Sequence, residues 1–162
     1  ALWLVHAKGA TERLGTTRDD AAGEALDKGA ALLGLPYPGG PAIERTAAGG
    51  DARRFDLPRT LLDRDSLDFS FSGLKTALLY TLRPQGSAAP LEPDAAALRD
   101  LCAGYQEAVV DVLVEKLRRA ARRHPVRALC IGGGVARNQR LRQRLADDPQ
   151  LRGLQLVLPP PS

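Results

Sequence analysis

The sequence predicts an α/β fold, and three observations carry that reading. Short alternating or continuous apolar runs are interleaved with segments of helical period, as at Leu67-x-Phe69-x-Phe71 and Tyr105 to Leu117. A strand-like run at 128–131 passes through Gly132-Gly133-Gly134 into a helical pattern, the order of a parallel-strand unit. Hydrophobic residues at 44% and charged residues at 26% of 162 residues fit a globular core, against disorder or a fibrous repeat.

From the first residue, Leu2 to His6 and Glu12 to Gly15 read as short strands around a hairpin turn at Gly9. Asp19-Asp20 offers an N-cap to a helix whose face holds Ala22, Leu26, Gly29 and Leu33, with Gly34 at its C-terminal end. Pro36 to Pro41 is a rigid turn, and Pro41 opens a short helix that Gly49-Gly50 ends. Leu67, Phe69 and Phe71 form a half-buried strand before a helix capped by Ser72, and residues 83–93 are a loop. From Asp94 the pattern is helical, interrupted near Gly104, with an apolar stripe ending in the cationic turn Arg118 to Arg123. Residues 128–131 are expected to form a buried parallel strand, Val135 to Leu145 a helix, and 154–158 a further buried strand. The organisation is then a first region at 1–82, the loop at 83–93, and a second region at 94–162.

No apolar stretch reaches the roughly 20 residues of a membrane helix, so a soluble cytoplasmic protein is expected. Cys102 and Cys130 offer neither a disulfide framework nor a zinc spacing and are expected as reduced core thiols. The net charge of +4 carries only four lysines among its cations, which suits a nucleic-acid partner and equally an arginine-rich genome. With no methionine at position 1 and a strand-like run near Ser162, the chain is expected to continue at both ends.

Three places could carry chemistry. Gly132 to Asn138 joins a strand to a helix, where exposed amides meet nucleotides or simply let helix and strand pack. Asp20, Glu24 and Asp27 share a helix face that suits a cation or ribose hydroxyls, or is a solvated face with Glu24 and Lys28 paired. Tyr37-Pro38-Gly39-Gly40 lines a pocket or is a structural turn. His6 and His124 have no convincing co-ligand, and no His-Glu-x-x-His or Walker motif is present.

Five blocks, in order, resemble the TsaD family: Gly15 to Lys28, Leu32 to Pro41, Asp68 to Ala77, Tyr105 to Lys116 and Gly132 to Asn138. The resemblance implies the actin-like, sugar-kinase-like ATPase superfold, present in part, and transfer of a threonylcarbamoyl group from threonylcarbamoyl-adenylate to N6 of the adenosine beside the tRNA anticodon. It implies adenylate contacts at Asp27, Gly40 and Asn138, and at Glu44, where the family often has aspartate. It implies a divalent metal, iron or zinc, whose ligands would lie outside residues 1–162, so that no metal ligand is expected in this chain. Expected partners are tRNA, TsaB-like and TsaE-like proteins, and a TsaC-like synthase supplying the adenylate. A non-catalytic partner of the same superfold and a small-molecule kinase are the alternatives. Leu26 replaces a usual phenylalanine, and Gly29 sits mid-helix at a cost of about 1 kcal/mol relative to alanine.

Overall fold

In the computed structural model, described for residues 1–60, 62, 65–83 and 92–160, the chain is a mixed α/β structure. Strands β1 (Leu2–Val5) and β2 (Thr11–Gly15) form an antiparallel hairpin. Its turn uses Gly9 at φ 80° and is closed by the His6 N–H on the Ala10 carbonyl at 2.9 Å. Helix α1 (Ala22–Leu32) follows, and Gly34 at φ 71° carries the chain out of it, as the sequence predicts.

The start of α1 differs from expectation. Ala21 is the N-cap, and the Glu24 carboxylate accepts its N–H at 3.4 Å. Asp19 is occupied elsewhere: it accepts the Phe71 N–H at 2.7 Å and the Ser72 hydroxyl at 2.8 Å, so it caps α3 (Ser72–Leu82) from 52 residues away. Ser72 is therefore the first residue of that helix, and its expected capping role passes to Asp19. Leu67, Phe69 and Phe71 are buried in alternation, but only Phe69 makes a bridge, with Thr17, so no strand forms there. Local pattern fixes which side chains point inward; a ladder also needs a neighbour, and here it is one residue long.

Helix α2 (Gly39–Thr46) begins at Gly39 with Pro38 as N-cap, two residues before Pro41. Proline is tolerated there because the first-turn N–H groups have no intrahelical acceptor. Helix α4 (Ala95–Arg123) runs unbroken through Gly104 and is capped by the Asp94 carboxylate, which accepts the Ala97 N–H at 2.7 Å. Gly104 is a packing residue: a Cβ there would lie 3.3 Å from the Ala52 carbonyl. Of the loop at 83–93, residues 84–91 lie outside the described residues.

Strand β3 (Ala128–Cys130) pairs in parallel with β4 (Gln155–Val157). The expected burial of both is corrected: only the middle residue of each is half-buried, and Cys130 is exposed, not a core thiol. A parallel strand is buried only where helices cover both faces, and in these residues Leu129 and Leu156 pack on one side alone. Between the strands lie a 3₁₀ turn (Gly134–Arg137) and α5 (Gln139–Ala146), where a single helix from Val135 was expected.

Two apolar clusters share α4. One gathers α1, α3 and the first half of α4 around Tyr105, Phe71 and Leu101; the other packs Val110, Val114 and Leu117 against Leu141, Leu145 and Leu151. Cys102 lies in the first, where burial pushes its thiol up to about 11. None of the helices among the described residues is long and apolar enough to cross a membrane.

Candidate functional site

Helix α1 places Asp27 against the start of α2. One carboxylate oxygen of Asp27 accepts the N–H of Gly39 at 2.8 Å and of Gly40 at 3.3 Å. These are first-turn amides, which have no partner inside their own helix, and a carboxylate there also meets the positive end of the helix dipole. The approach requires glycine at 39, where a Cβ would stand 2.5 Å from the Asp27 Cα. At Gly40 a Cβ would meet only Leu26, at 3.7 Å, an ordinary contact.

One turn further along α2, the Glu44 carboxylate accepts the N–H of Gln139 at 2.5 Å. Asn138 stands just before it as the N-cap of α5. Its side-chain oxygen accepts the Leu141 N–H at 2.9 Å, and its amide nitrogen donates to the Gln106 side chain at 2.8 Å. Both Asn138 and Gln106 are buried. Asp27, Gly40, Glu44 and Asn138 thus fall on one run of contacts from α1 through α2 to α5 and α4, although the first and last are 111 positions apart in sequence.

Of the acidic trio, Asp20 precedes α1 while Glu24 and Asp27 lie on it, and Lys28 pairs with Asp20 at 2.5 Å and Glu24 at 2.9 Å. Asp20 and then Glu24 raise the Lys28 pKa. That pairing leaves Asp27 alone turned to α2.

A cleft of about 620 Å³ opens where β3 and β4 end. Its walls are Cys130 to Gly134, Arg137 and Val157 to Pro159, with Gly133 at φ 78° making the turn. Ligands of parallel α/β sheets sit beyond the carboxyl ends of the strands, and this cleft has that position. Arg137 belongs to the Gly132 to Asn138 segment that the sequence points to, whereas Cys130 was expected as a core thiol and Pro159 carried no site expectation; the signal for them was the strand end itself. The four candidate residues do not line this cleft, and the 3₁₀ turn joins it to Asn138.

No group of three or more His, Cys, Asp or Glu side chains that could hold a metal ion occurs among the described residues. The described residues do not fit an iron or zinc centre.

The model of the family described as TsaD, tRNA N6-adenosine threonylcarbamoyltransferase, matches residues 1–162. The chain belongs to the TsaD family. A tRNA N6-adenosine threonylcarbamoyltransferase of Anaeromyxobacter sp. (strain Fw109-5) is 52% identical over 162 residues, covering 99% of this chain and 47% of that protein. Proteins of the same name from Sorangium cellulosum (strain So ce56) and Geobacter metallireducens are 51% identical over 156 residues and 49% over 161. These alignments cover 95% and 99% of this chain, and 42% and 46% of the two proteins. The chain therefore spans about half the length of the curated relatives it matches.

The mid-helix glycine at 29, just past the first of the TsaD-like blocks, has a local cause. A Cβ on Gly29 would lie 2.4 Å from the ring of Tyr105, whose hydroxyl donates to the Ala25 carbonyl at 2.9 Å. The helix accepts glycine because the ring occupies the space.

Proposed function

We propose that this chain forms part of an enzyme that transfers the threonylcarbamoyl group of threonylcarbamoyl-adenylate to N6 of the adenosine beside the tRNA anticodon. The match of the family across all 162 residues supports the activity. The observation that carries the site is the run of contacts joining Asp27, Gly40, Glu44 and Asn138. In this reading Asp27 orients the amides of α2, Glu44 fixes α2 against α5, and Asn138 sets the entry to α5. The adenylate then lies along these ends and the glycine turn at 132–134, where bare backbone admits a nucleotide.

The fold proposed for the complete protein is the actin-like superfold. A divalent metal, iron or zinc, belongs to the complete enzyme in this reading, held by residues other than those described here. Partners are tRNA with TsaB-like and TsaE-like proteins, in the cytoplasm.

Gly40→Ala in the full-length protein tests the site, because a Cβ at this position makes only an ordinary contact with Leu26. Transfer from the adenylate to unmodified tRNA should fall about tenfold while the melting temperature holds. Asn138→Ala should lose a comparable amount, on the order of 1–3 kcal/mol in transfer efficiency. Normal transfer by both folded variants rejects the assignment.

A further inference from the structure

Helices α4 and α5 carry a run of arginines that the site above does not use. Arg59, Arg118, Arg119, Arg122, Arg140 and Arg144 share four carboxylates. Glu107 takes Arg140 at 2.6 Å and also Arg144; Asp111 takes Arg59 at 3.0 Å and Arg144 at 2.8 Å. Glu115 faces Arg118, Arg119 and Arg122 at 3.6, 2.8 and 3.7 Å, and Asp148 holds Arg118 at 2.5 Å. Six guanidiniums face four carboxylates, so these groups together are cationic, although the Leu57 and Leu62 carbonyls and the Gln143 and Gln150 side chains also accept from them. A groove of about 290 Å³ opens among Arg59, Asp111, Glu115, Arg118, Arg119 and Arg144, and Arg122 and Arg140 extend the run beyond it.

The position of the run decides what it suits. Glu107 follows Gln106, the partner of Asn138. At 1.5 Å per residue, the run from Glu107 to Arg122 leads about 22 Å away from that contact along α4. One bound phosphate would need no track of this length; a strand of repeated phosphodiesters would, and arginine binds such oxygens in pairs. We propose that this run of arginines, with the groove inside it, seats the phosphate backbone of the RNA substrate while its target base lies at the Asn138 end. The inference rests on the transferase reading for the identity of the polyanion.

The test uses the full-length protein and a labelled, unmodified anticodon stem-loop RNA, titrated at several salt concentrations. Arg122 and Arg140 have side chains 54% and 38% exposed, and removing them leaves Glu115 and Glu107 with other arginines. Arg122→Gln/Arg140→Gln should weaken binding about tenfold and reduce the salt slope by about one to two. Glu115→Gln removes a competing anion and should tighten binding severalfold. Arg13→Gln, on the hairpin, should change nothing. A purely structural ion-pair network predicts altered melting with unchanged RNA affinity in every variant, and that result overturns the proposal. Weaker binding by Glu115→Gln with normal melting also overturns it. Inorganic phosphate that displaces RNA at equal phosphate concentration would assign the groove to the free ion instead. Wild-type protein that fails to bind the RNA sinks both readings; RNA binding that follows the predicted pattern without any transfer sinks the transferase reading alone.

Discussion

The two clusters that share α4 are closed in different ways. Around the first, nineteen buried apolar residues meet, and the helix starts are held by carboxylates from distant segments: Asp19 on α3, Asp27 on α2. Around the second, six such residues meet among those described, a two-stranded sheet is open on one side, and arginine–carboxylate pairs supply much of the joining. Apolar burial is non-directional and tolerates little change in volume, whereas exposed ion pairs contribute little each and respond to salt. The first region is thus a packed frame, and the second holds the open cleft and the charged surface. Functional surfaces belong where the frame is thinnest, because an open strand end is one that nothing in these residues covers.

The largest effect that breaks this contrast is Tyr105→Ala. Its ring reaches from α4 to α1 and is fully buried, so truncation should cost about 3–5 kcal/mol in urea unfolding. Hydrogen exchange should then accelerate in α1 and α3 more than in α5. An equal change in both regions would mean that the two clusters unfold as one unit.

Much of this frame was legible from residues alone, for a physical reason: helical period, the C-terminal glycine at 34 and the hairpin glycine at 9 are local properties. What was not legible depended on partners far along the chain. Asp19 belongs to the start of α3 rather than α1, and Gly104 interrupts nothing because the missing Cβ makes room for the segment at Ala52. Strand burial at 128–130 also depends on neighbours, and here one face has none. At the candidate site, residue types and spacing left Asp27 open between a solvated face and a ligand contact. Neither anticipates its bond to the Gly39 amide, nor Asn138 as a buried cap tied to Gln106.

Gly29→Ala comes next in size. Helix propensity alone would favour alanine by about 1 kcal/mol, but the added Cβ meets the Tyr105 ring at 2.4 Å. Overpacking of this kind costs about 1–3 kcal/mol, so the net change should be destabilising. Pairing it with Tyr105→Leu should restore part of the loss, and strict additivity of the two variants would refute the steric account.

The α1–α2 contact gives a finer comparison between adjacent glycines. Gly39→Ala drives a Cβ into the backbone of Asp27 and should cost about 1–3 kcal/mol in chemical denaturation. Gly40→Ala should stay within about 0.5 kcal/mol of the parent, as substitutions free of steric conflict do. Equal costs would show that α2 shifts as a body to relieve the contact.

The smallest expected effect separates the two regions by what holds their carboxylates. Burial opposes ionisation of Asp19, but the Ser70 hydroxyl, the Phe71 N–H and the Ser72 hydroxyl together hold its carboxyl below the usual range. At Asp148 burial is again opposed, this time chiefly by the Arg118 guanidinium. A carboxylate whose folded pKa is depressed adds stability that is fully present above its unfolded pKa, and that stability fades as pH falls through the folded value. Both contributions are therefore intact near neutrality and are lost below about pH 4. Hydrogen bonds from uncharged donors to a carboxylate involve no counter-charge and depend little on ionic strength, whereas an ion pair is weakened as screening shortens the reach of each charge. Asp19→Asn should flatten the acid slope of the urea midpoint equally at low and high salt, whereas Asp148→Asn should flatten it less at high salt, where the pair already contributes less. A salt-dependent change for Asp19→Asn would place a cation, rather than the start of α3, as the partner that keeps this carboxylate ionised.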